Sequence, residues 1–243
     1  MVKKSHEIES FNLQPGRRLA GKYEVISLLG QGWQGEVYQI RELSTNIERA
    51  AKLFYPHRNI RNREAATYAA KLHRLVECPI LIQYHAQEVL NFRKTPITAL
   101  ISEYVEGELL SDHLDRFRGK RLPMFQAVHL LHALISGIEC IHHLGEYHGD
   151  LHAENIIVRR LGLTYELKLI DLFHWGRATR ANRQEDICAA IYVFYESLGG
   201  RKAYAGLPKQ IKEIICGLKR TLILRKFPNA GDLRMAIESN TWG

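Results

Sequence analysis

Cysteine is scarce in this chain. There are four in 243 residues, at 78, 140, 188 and 216, and no two form a Cys-x-x-Cys pair. That spacing argues against a disulfide-stapled secreted domain and against a cysteine-ligated zinc site, and the four are expected to be reduced, mostly buried thiols. Apolar runs are short, and none approaches the roughly 20 residues that cross a bilayer. The N-terminal stretch carries Lys3 and Lys4 but no apolar core, so it does not read as a secretory signal. Twelve histidines fall mostly singly, and the adjacent His142 and His143 cannot both face one ion on a helix. Acid is in deficit as well: 26 Asp and Glu stand against 34 Lys and Arg, a net charge of +8. From Arg159 onward, 15 basic and 8 acidic residues leave +7, so nearly all the excess sits in the last third. A surface of that sign suits a phosphate, nucleic acid, an acidic protein or an anionic membrane face, and it also serves solubility. A cytoplasmic protein is expected, and nucleic acid is not the expected partner.

What is present has a clear order. Residues 1–20 are polar and turn-rich and read as a loose arm. Tyr23–Leu29 and Glu36–Ile40 are strand-like and are joined by glycines, the pattern of a hairpin. Ile47–Phe54 reads as a third strand, ended by Pro56. Residues 61–76 have apolar positions at helical spacing (Ala65, Tyr68, Ala69, Leu72, Leu75). Ile80–Ile82 and Thr98–Ile101 are short strand candidates. A long helix is expected over 124–143, and short strands at Ile156–Val158 and Leu167–Ile170. Beyond Asp186 the pattern is helical at Ile187–Leu198, Ile211–Leu224 and Ala230–Ser239. Strands dominate the first third and helices the rest. That order predicts an α+β chain with two lobes, a cleft between them, and a hinge near Glu103–Gly107.

Four pieces carry chemistry. Gly30-Gln-Gly32-Trp-Gln-Gly35-Glu-Val37 is a G-x-G-x-x-G-x-V flanked by strand residues on both sides. A glycine hairpin brings backbone N–H groups onto phosphates because no side chain projects. Ala50-Ala51-Lys52 places a lysine in a buried strand, where an ammonium needs a carboxylate partner. Glu64 is the first choice and Glu77 the alternative. Tyr147-His-Gly-Asp150-Leu-His152-Ala-Glu-Asn155 is an H-x-D-x-x-x-x-N loop before a strand. Its Asp can orient or accept the proton of an attacking hydroxyl, and its Asn oxygen can ligate a divalent cation. Asp171, at a strand end sixteen residues after Asn155, supplies the second carboxylate of a magnesium site.

In this order and spacing the chain resembles the protein kinase superfamily, in its bacterial eukaryotic-like (Hanks-type) Ser/Thr branch, over residues 16–239. The resemblance implies a bilobal kinase fold: a β-rich N-lobe at 21–105 and a reduced helical C-lobe at 106–243. It implies that Gly30, Gln31, Gly32, Trp33 and Gly35 cover ATP, and that Lys52 holds the α- and β-phosphates and pairs with Glu64. Val37, Ala50 and Ile157 would sandwich the adenine. Ser102 would sit behind it, and Glu103 and Val105 would offer hinge hydrogen bonds. Asp150 would be the catalytic base, His152 a donor to the γ-phosphate, and Asn155 and Asp171 the Mg2+ ligands. The implied reaction is γ-phosphoryl transfer from ATP to Ser or Thr of a protein, one that is acidic if it faces the basic C-lobe.

The departures are specific. Gly149 stands where many kinases have Arg, His152 where Ser/Thr kinases carry Lys, and Phe173 where the magnesium motif has Gly. Only fifteen residues separate Asp171 from Asp186, the expected helix anchor, and no Ala-Pro-Glu motif intervenes. The loop His148-Gly-Asp150-Leu-His152 also occurs in small-molecule phosphotransferases. A small-molecule kinase and a nucleotide-binding pseudokinase scaffold therefore stand as alternative readings.

Overall fold

The computed structural model describes residues 8–162 and 164–240, so residues 1–7 of the expected arm and 241–243 lie outside it. The chain divides into two units. One runs to Val76 and resumes over Ile82–Val105; the other comprises Glu77–Leu81 and everything from Glu106. The expected change of lobe near Glu103–Gly107 falls at Val105–Glu106. The short excursion 77–81, expected in the first lobe, belongs to the second unit.

The first unit is an antiparallel sheet of β1 (Arg18–Leu19), β2 (Tyr23–Gln31), β3 (Gly35–Glu42), β4 (Glu48–Phe54), β5 (Tyr84–Phe92) and β6 (Thr95–Glu103), with one helix, α1 (Arg63–Arg74). The strand order is β1-β2-β3-β4-β6-β5. Alternation puts Val25, Tyr38, Ile40, Ala51, Leu53, Ile97, Ala99 and Ile101 into one core. Two expectations need correction. Ile80–Ile82 is not a strand; Leu81 makes an isolated bridge to Leu169. β5 escaped notice because it is an edge strand whose outward residues, His85, Gln87 and Asn91, dilute its apolar pattern.

The loose arm is also corrected. Phe11 and Leu13 are buried in the sheet's core. Phe11 stacks on Tyr55 with ring centroids 5.3 Å apart and meets Phe92 edge-on. The anchor is Glu36, 1% exposed, which accepts the Phe11 N–H at 3.0 Å and the hydroxyls of Tyr55 and Tyr38. The Leu13 N–H donates to the Tyr38 hydroxyl at 3.2 Å. Burial, reinforced by Glu36, pushes the Tyr38 phenol far above its ordinary range. Single apolar residues in a polar stretch gave no periodic signal, because the arm docks through isolated side chains, Ile8, Phe11, Leu13 and Leu19.

The second unit contains β7 (Glu108–Leu109), α2 (Leu110–Asp115), α3 (Met124–His143), β8 (Ile156–Leu161), β9 (Thr164–Leu169), α4 (Arg180–Ser197), α5 (Gly200–Tyr204), α6 (Lys209–Ile215), α7 (Arg220–Lys226) and α8 (Ala230–Glu238). Contrary to the reading of short apolar runs, α3 is by length and composition capable of crossing a bilayer. Here Leu130, Leu134, Ile138 and Ile141 are fully buried in this unit. α4 begins seven residues before the expected Ile187, because Thr179 and Asn182 form a reciprocal capping box. The expected helix over 211–224 is broken: Cys216, Gly217 and Leu218 all have φ between 52° and 60°, which no helix continues through.

The thiol expectation changes too. Cys78 and Cys140 form a disulfide, with Cα atoms 6.0 Å apart; Cys188 and Cys216 are free. Closing a 62-residue separation is worth about 4 kcal/mol in the chain-entropy account.

Removing the Glu36 carboxylate leaves a buried N–H and two buried hydroxyls without their acceptor. Glu36→Ala is expected to cost about 3 kcal/mol and Glu36→Gln less, read as the shift in urea midpoint at constant slope. A shift under about 0.5 kcal/mol would mean that the arm is not anchored there.

Candidate functional site

The expected site residues fall in both units. In the first, the glycine motif forms the β2–β3 turn, closed by the Gly32 N–H on the Gly35 carbonyl at 2.9 Å. Its glycines differ in role. A Cβ on Gly35 would collide with the Leu53 carbonyl, so Gly35 permits the close approach of β3 to β4. A Cβ on Gly30 or Gly32 would meet nothing within 4 Å. Packing does not require those two glycines, and what remains is a bare backbone open to a ligand. Trp33 is 61% exposed at the turn, with the Arg58 guanidinium 4.5 Å from its ring. Gln31 donates to the Tyr55 hydroxyl at 2.9 Å, so its side chain braces the turn.

The ladder brings other expected residues onto one face. Val37 pairs with Lys52, Ala50 with Ser102, and Lys52 with Leu100. Directly paired residues project to the same side. Val37, Ala50, Lys52 and Ser102 therefore share a face opposite the core face of Tyr38, Ala51 and Ile101. Glu103 is stapled at the end of β6: its N–H donates to the Gln83 carbonyl at 2.9 Å, and its carboxylate accepts the Gln83 N–H at 3.1 Å. Val105 closes the unit.

Glu64 is not brought to Lys52. It lies exposed in the first turn of α1, and among the described residues it makes no ion pair. The ring of Tyr68, one turn further on, takes that place: the Lys52 ammonium is 5.0 Å from its centroid and 5.6 Å from that of Phe54. Glu77, the alternative, belongs to the other unit.

The second unit holds the loop Tyr147–Asn155. The Asn155 amide nitrogen reaches the Asp150 carbonyl at 2.8 Å, the Asp150 carboxylate at 3.3 Å and His152 Nε2 at 2.9 Å. The amide thus spends its N–H groups inside the loop, and its oxygen is the atom left to meet a cation. Hard oxygen donors from Asn155 and Asp171 fit a small divalent ion. The Asp150 side chain is 51% exposed, open to an incoming hydroxyl. His152 Nε2 lies 3.7 Å from Asp150 Oδ2. Buried His148 accepts the Asp150 N–H at Nδ1 and faces the Ile170 carbonyl with Nε2 at 3.1 Å. One neutral tautomer, with the proton on Nε2, satisfies both. It links the backbone of Asp150 to the residue before Asp171, which sits at φ 54°. On β8, Ile156 and Val158 are buried and Ile157 turns to the opposite, half-exposed side.

The expected anchor Asp186 and residues beyond the expected set hold this loop. Asp186 accepts the N–H groups of His148 at 2.7 Å and Gly149 at 2.9 Å, and His142 Nε2 lies 3.0 Å away. Tyr147 was missed: its hydroxyl accepts the Trp175 N–H at 2.6 Å and donates to the Gly176 carbonyl at 3.0 Å. Burial pushes the Tyr147 phenol up, which keeps it a donor. The Trp175 indole donates to the Gly149 carbonyl at 2.9 Å, and the Phe173 N–H to the His148 carbonyl at 3.0 Å. Gly149 now has a reason. It sits at φ 89°, and a Cβ there would meet the Phe173 carbonyl and the Tyr147 ring, both at 2.9 Å. An arginine cannot occupy this backbone.

A family model described as a protein kinase domain matches residues 23–206. The chain belongs to the protein kinase family. Among curated relatives, the serine/threonine-protein kinase pkn2 of Myxococcus xanthus is 30% identical over 156 residues, covering 63% of this chain and 18% of that protein. CBL-interacting protein kinase 29 of Oryza sativa is 30% identical over 212 residues, covering 84% of this chain and 46% of the relative. The serine/threonine-protein kinase PrkC of Bacillus subtilis is 23% identical over 216 residues, 79% of this chain and 32% of its own. The chain thus spans less than half the length of these relatives. The kinase domain of Mycobacterium tuberculosis PknI, a solved structure, superposes with a TM-score of 0.68 at 17% identity, covering 93% of this chain and 98% of that one. The kinase fold, β-rich first and helical second, is therefore the fold of this protein.

Gly149→Ala tests the packing of this kinase's loop. The strained backbone and the clash with Phe173 and Tyr147 should free the segment after Asp171 and cost about 1–3 kcal/mol. Tryptic cleavage at Arg177 should then run several-fold faster than in the unmodified chain. An unchanged cleavage rate would show that the segment is held elsewhere.

Proposed function

We propose that this domain transfers the γ-phosphoryl group of ATP to Ser or Thr of a protein, with Mg2+ as the bound ion, in the cytoplasm. The observation that carries the reading is the Asp150–Asn155 loop, in which the buried Asn155 spends its amide N–H groups on the loop while the Asp150 carboxylate stays half exposed. Asp150 orients the acceptor hydroxyl and takes its proton as the new bond forms. His152, beside it, donates toward the transferring phosphoryl group when protonated. Lys52 holds phosphate oxygens, and the open backbone at Gly30 and Gly32 lies over them. Asn155 and Asp171 would hold Mg2+, which neutralises phosphate charge when bound. Most of the work in such a transfer is positioning and charge neutralisation.

An acidic protein is the substrate class we infer. What supports it is the segment bonded to the catalytic loop. Arg177, Arg180 and Arg183 follow within a few residues of Trp175, and none of them enters an ion pair among the described residues. The first turn of α4 carries no acid, although basic residues there are disfavoured by the helix dipole. These arginines therefore do little for the helix itself. Arg220 of α7 reaches Glu185 of α4 at 3.4 Å.

One observation favours the second reading, a nucleotide-binding scaffold: Glu64, the partner expected for Lys52, is exposed and makes no ion pair among the described residues, whereas active kinases rely on a Lys–Glu pair. Turnover separates the two. Lys52→Met, Asp150→Asn and Asp171→Ala are each expected to lower phosphoryl transfer at least ~100-fold, measured with radiolabelled ATP. A rate in the unmodified chain no higher than in Asp150→Asn would select the scaffold.

For the substrate class, Arg177→Glu with Arg180→Glu should raise KM for a Ser peptide flanked by Asp and Glu about tenfold and leave a neutral peptide unaffected. Raised salt should narrow the difference. Equal KM values for both peptides in the unmodified chain would remove the acidic-substrate assignment.

A further inference from the structure

The disulfide of Cys78 and Cys140 involves none of the residues given a catalytic role, and its two cysteines differ in surroundings. Cys78 is fully buried. Cys140 is half-buried and lines an open hollow of about 470 Å³ with Glu77, Ser136, Glu139, His143, Leu144 and Arg234. That volume is within the range of small-molecule sites, and the walls carry both signs of charge. Arg234 is held within them by Glu139 at 2.6 Å and Glu238 at 2.9 Å.

The disulfide fastens the excursion Glu77–Leu81 to α3. The same segment is bonded to the end of β9: the Leu169 N–H donates to the Ile80 carbonyl at 2.7 Å, and the Lys168 ammonium to the Leu81 carbonyl at 3.3 Å. Ile80 also packs so closely on Gly137 of α3 that a Cβ there would collide with it. Leu169 is two residues before Asp171.

We propose that Cys140 is a site of thiol–disulfide exchange with a low-molecular-weight thiol, and that the state of the Cys78–Cys140 pair sets how firmly Glu77–Leu81 holds the strand leading to Asp171. The thiolate of the small thiol attacks Cys140 Sγ, the one reachable from the hollow. A bond forms to Cys140, the bond to Cys78 breaks, and Cys78 leaves as a thiolate that takes a proton from water. A second small thiolate attacks the small thiol's sulfur in this mixed disulfide and releases Cys140 as a thiolate, which is protonated in turn. Two small thiols are oxidised to their disulfide and the cystine is reduced to two thiols. Oxidised small disulfide drives the reverse. A disulfide in a glutathione-rich cytoplasm is characteristically one that exchanges. This rests on the cytoplasmic reading for its setting but not on turnover, so the test uses no phosphoryl transfer.

The full chain with Cys188→Ser and Cys216→Ser is equilibrated with reduced and oxidised glutathione. Thiols are counted by alkylation and intact mass, and amide exchange is followed at Leu81 and Leu169. We expect no alkylation when oxidised and two labels when reduced, with Leu81 and Leu169 exchanging roughly tenfold faster after reduction. The mixed disulfide trapped at intermediate ratios should map to Cys140 at roughly ten times the yield at Cys78. In Cys78→Ser, Cys140 should take up glutathione directly; should that variant fail to fold, the peptide map of the intact pair decides. Two labels in the oxidised sample, an adduct mainly on Cys78, or unchanged exchange at Leu169 would each overturn the proposal.

Discussion

A buried carboxylate, Asp186, holds the loop around Asp150 in place. It is 2% exposed, and an anion so placed is stable only if its lone pairs are filled. Two consecutive backbone N–H groups, of His148 and Gly149, and the ring of His142 fill them. One side chain of α4 thereby fixes the turn before Asp150 and ties it to the C-terminal end of α3. The other contacts of the loop follow from that fixed turn. With Gly149 set at positive φ, its carbonyl is presented to the Trp175 indole, and the His148 carbonyl to the Phe173 N–H. The segment after Asp171 is consequently pinned along its length by Tyr147, His148 and Gly149.

The parts of the site that were legible in the sequence are those whose chemistry fixes their spacing. Asp150 and Asn155 must share one short loop for the amide to reach the carboxylate, and they do. Asp171 must end a strand paired beside that loop, and β9 pairs with β8. Asp186 was legible only through the family resemblance, as the helix anchor expected after Asp171. Tyr147 and Trp175 were not. They act through backbone carbonyls and N–H groups that any sequence supplies, so nothing in their spacing sets them apart from ordinary core and surface aromatics. Cys78 and Cys140 were misread because a pairing across 62 residues leaves no local pattern.

The partner of Lys52 shows where periodicity runs out. Glu64 and Tyr68 are four residues apart on α1 and so share a face. Both satisfy the helical pattern, and only the depth of the helix along the sheet decides between them. The start of α1 is held by Asn59, whose side chain accepts the Ala65 N–H at 3.2 Å, and by Asn62, which bonds Gln87 of β5 and Thr98 of β6. The result puts an aromatic face under an ammonium. Such a contact helps to position the lysine without itself neutralising its charge.

Glycine marks the difference between structure and function across the whole domain. Gly35, Gly137 and Gly149 are filled in: a Cβ at each would strike a neighbour, and each records a close approach that the fold requires. Gly30 and Gly32 are empty, and their bareness serves no packing. The contrast also bears on control. Many kinases switch by ordering a long loop with a phosphate, which needs slack between the metal carboxylate and the following helix, and an arginine to read the phosphate. Here Asp186 follows Asp171 by only fifteen positions, the loop is already pinned at Phe173, Trp175 and Gly176, and the arginine's position is closed by the backbone of Gly149. With no slack in the loop itself, the adjustable contact nearest Asp171 is the one behind it. There Leu169 hangs on Ile80, in a segment whose other fastening is a disulfide.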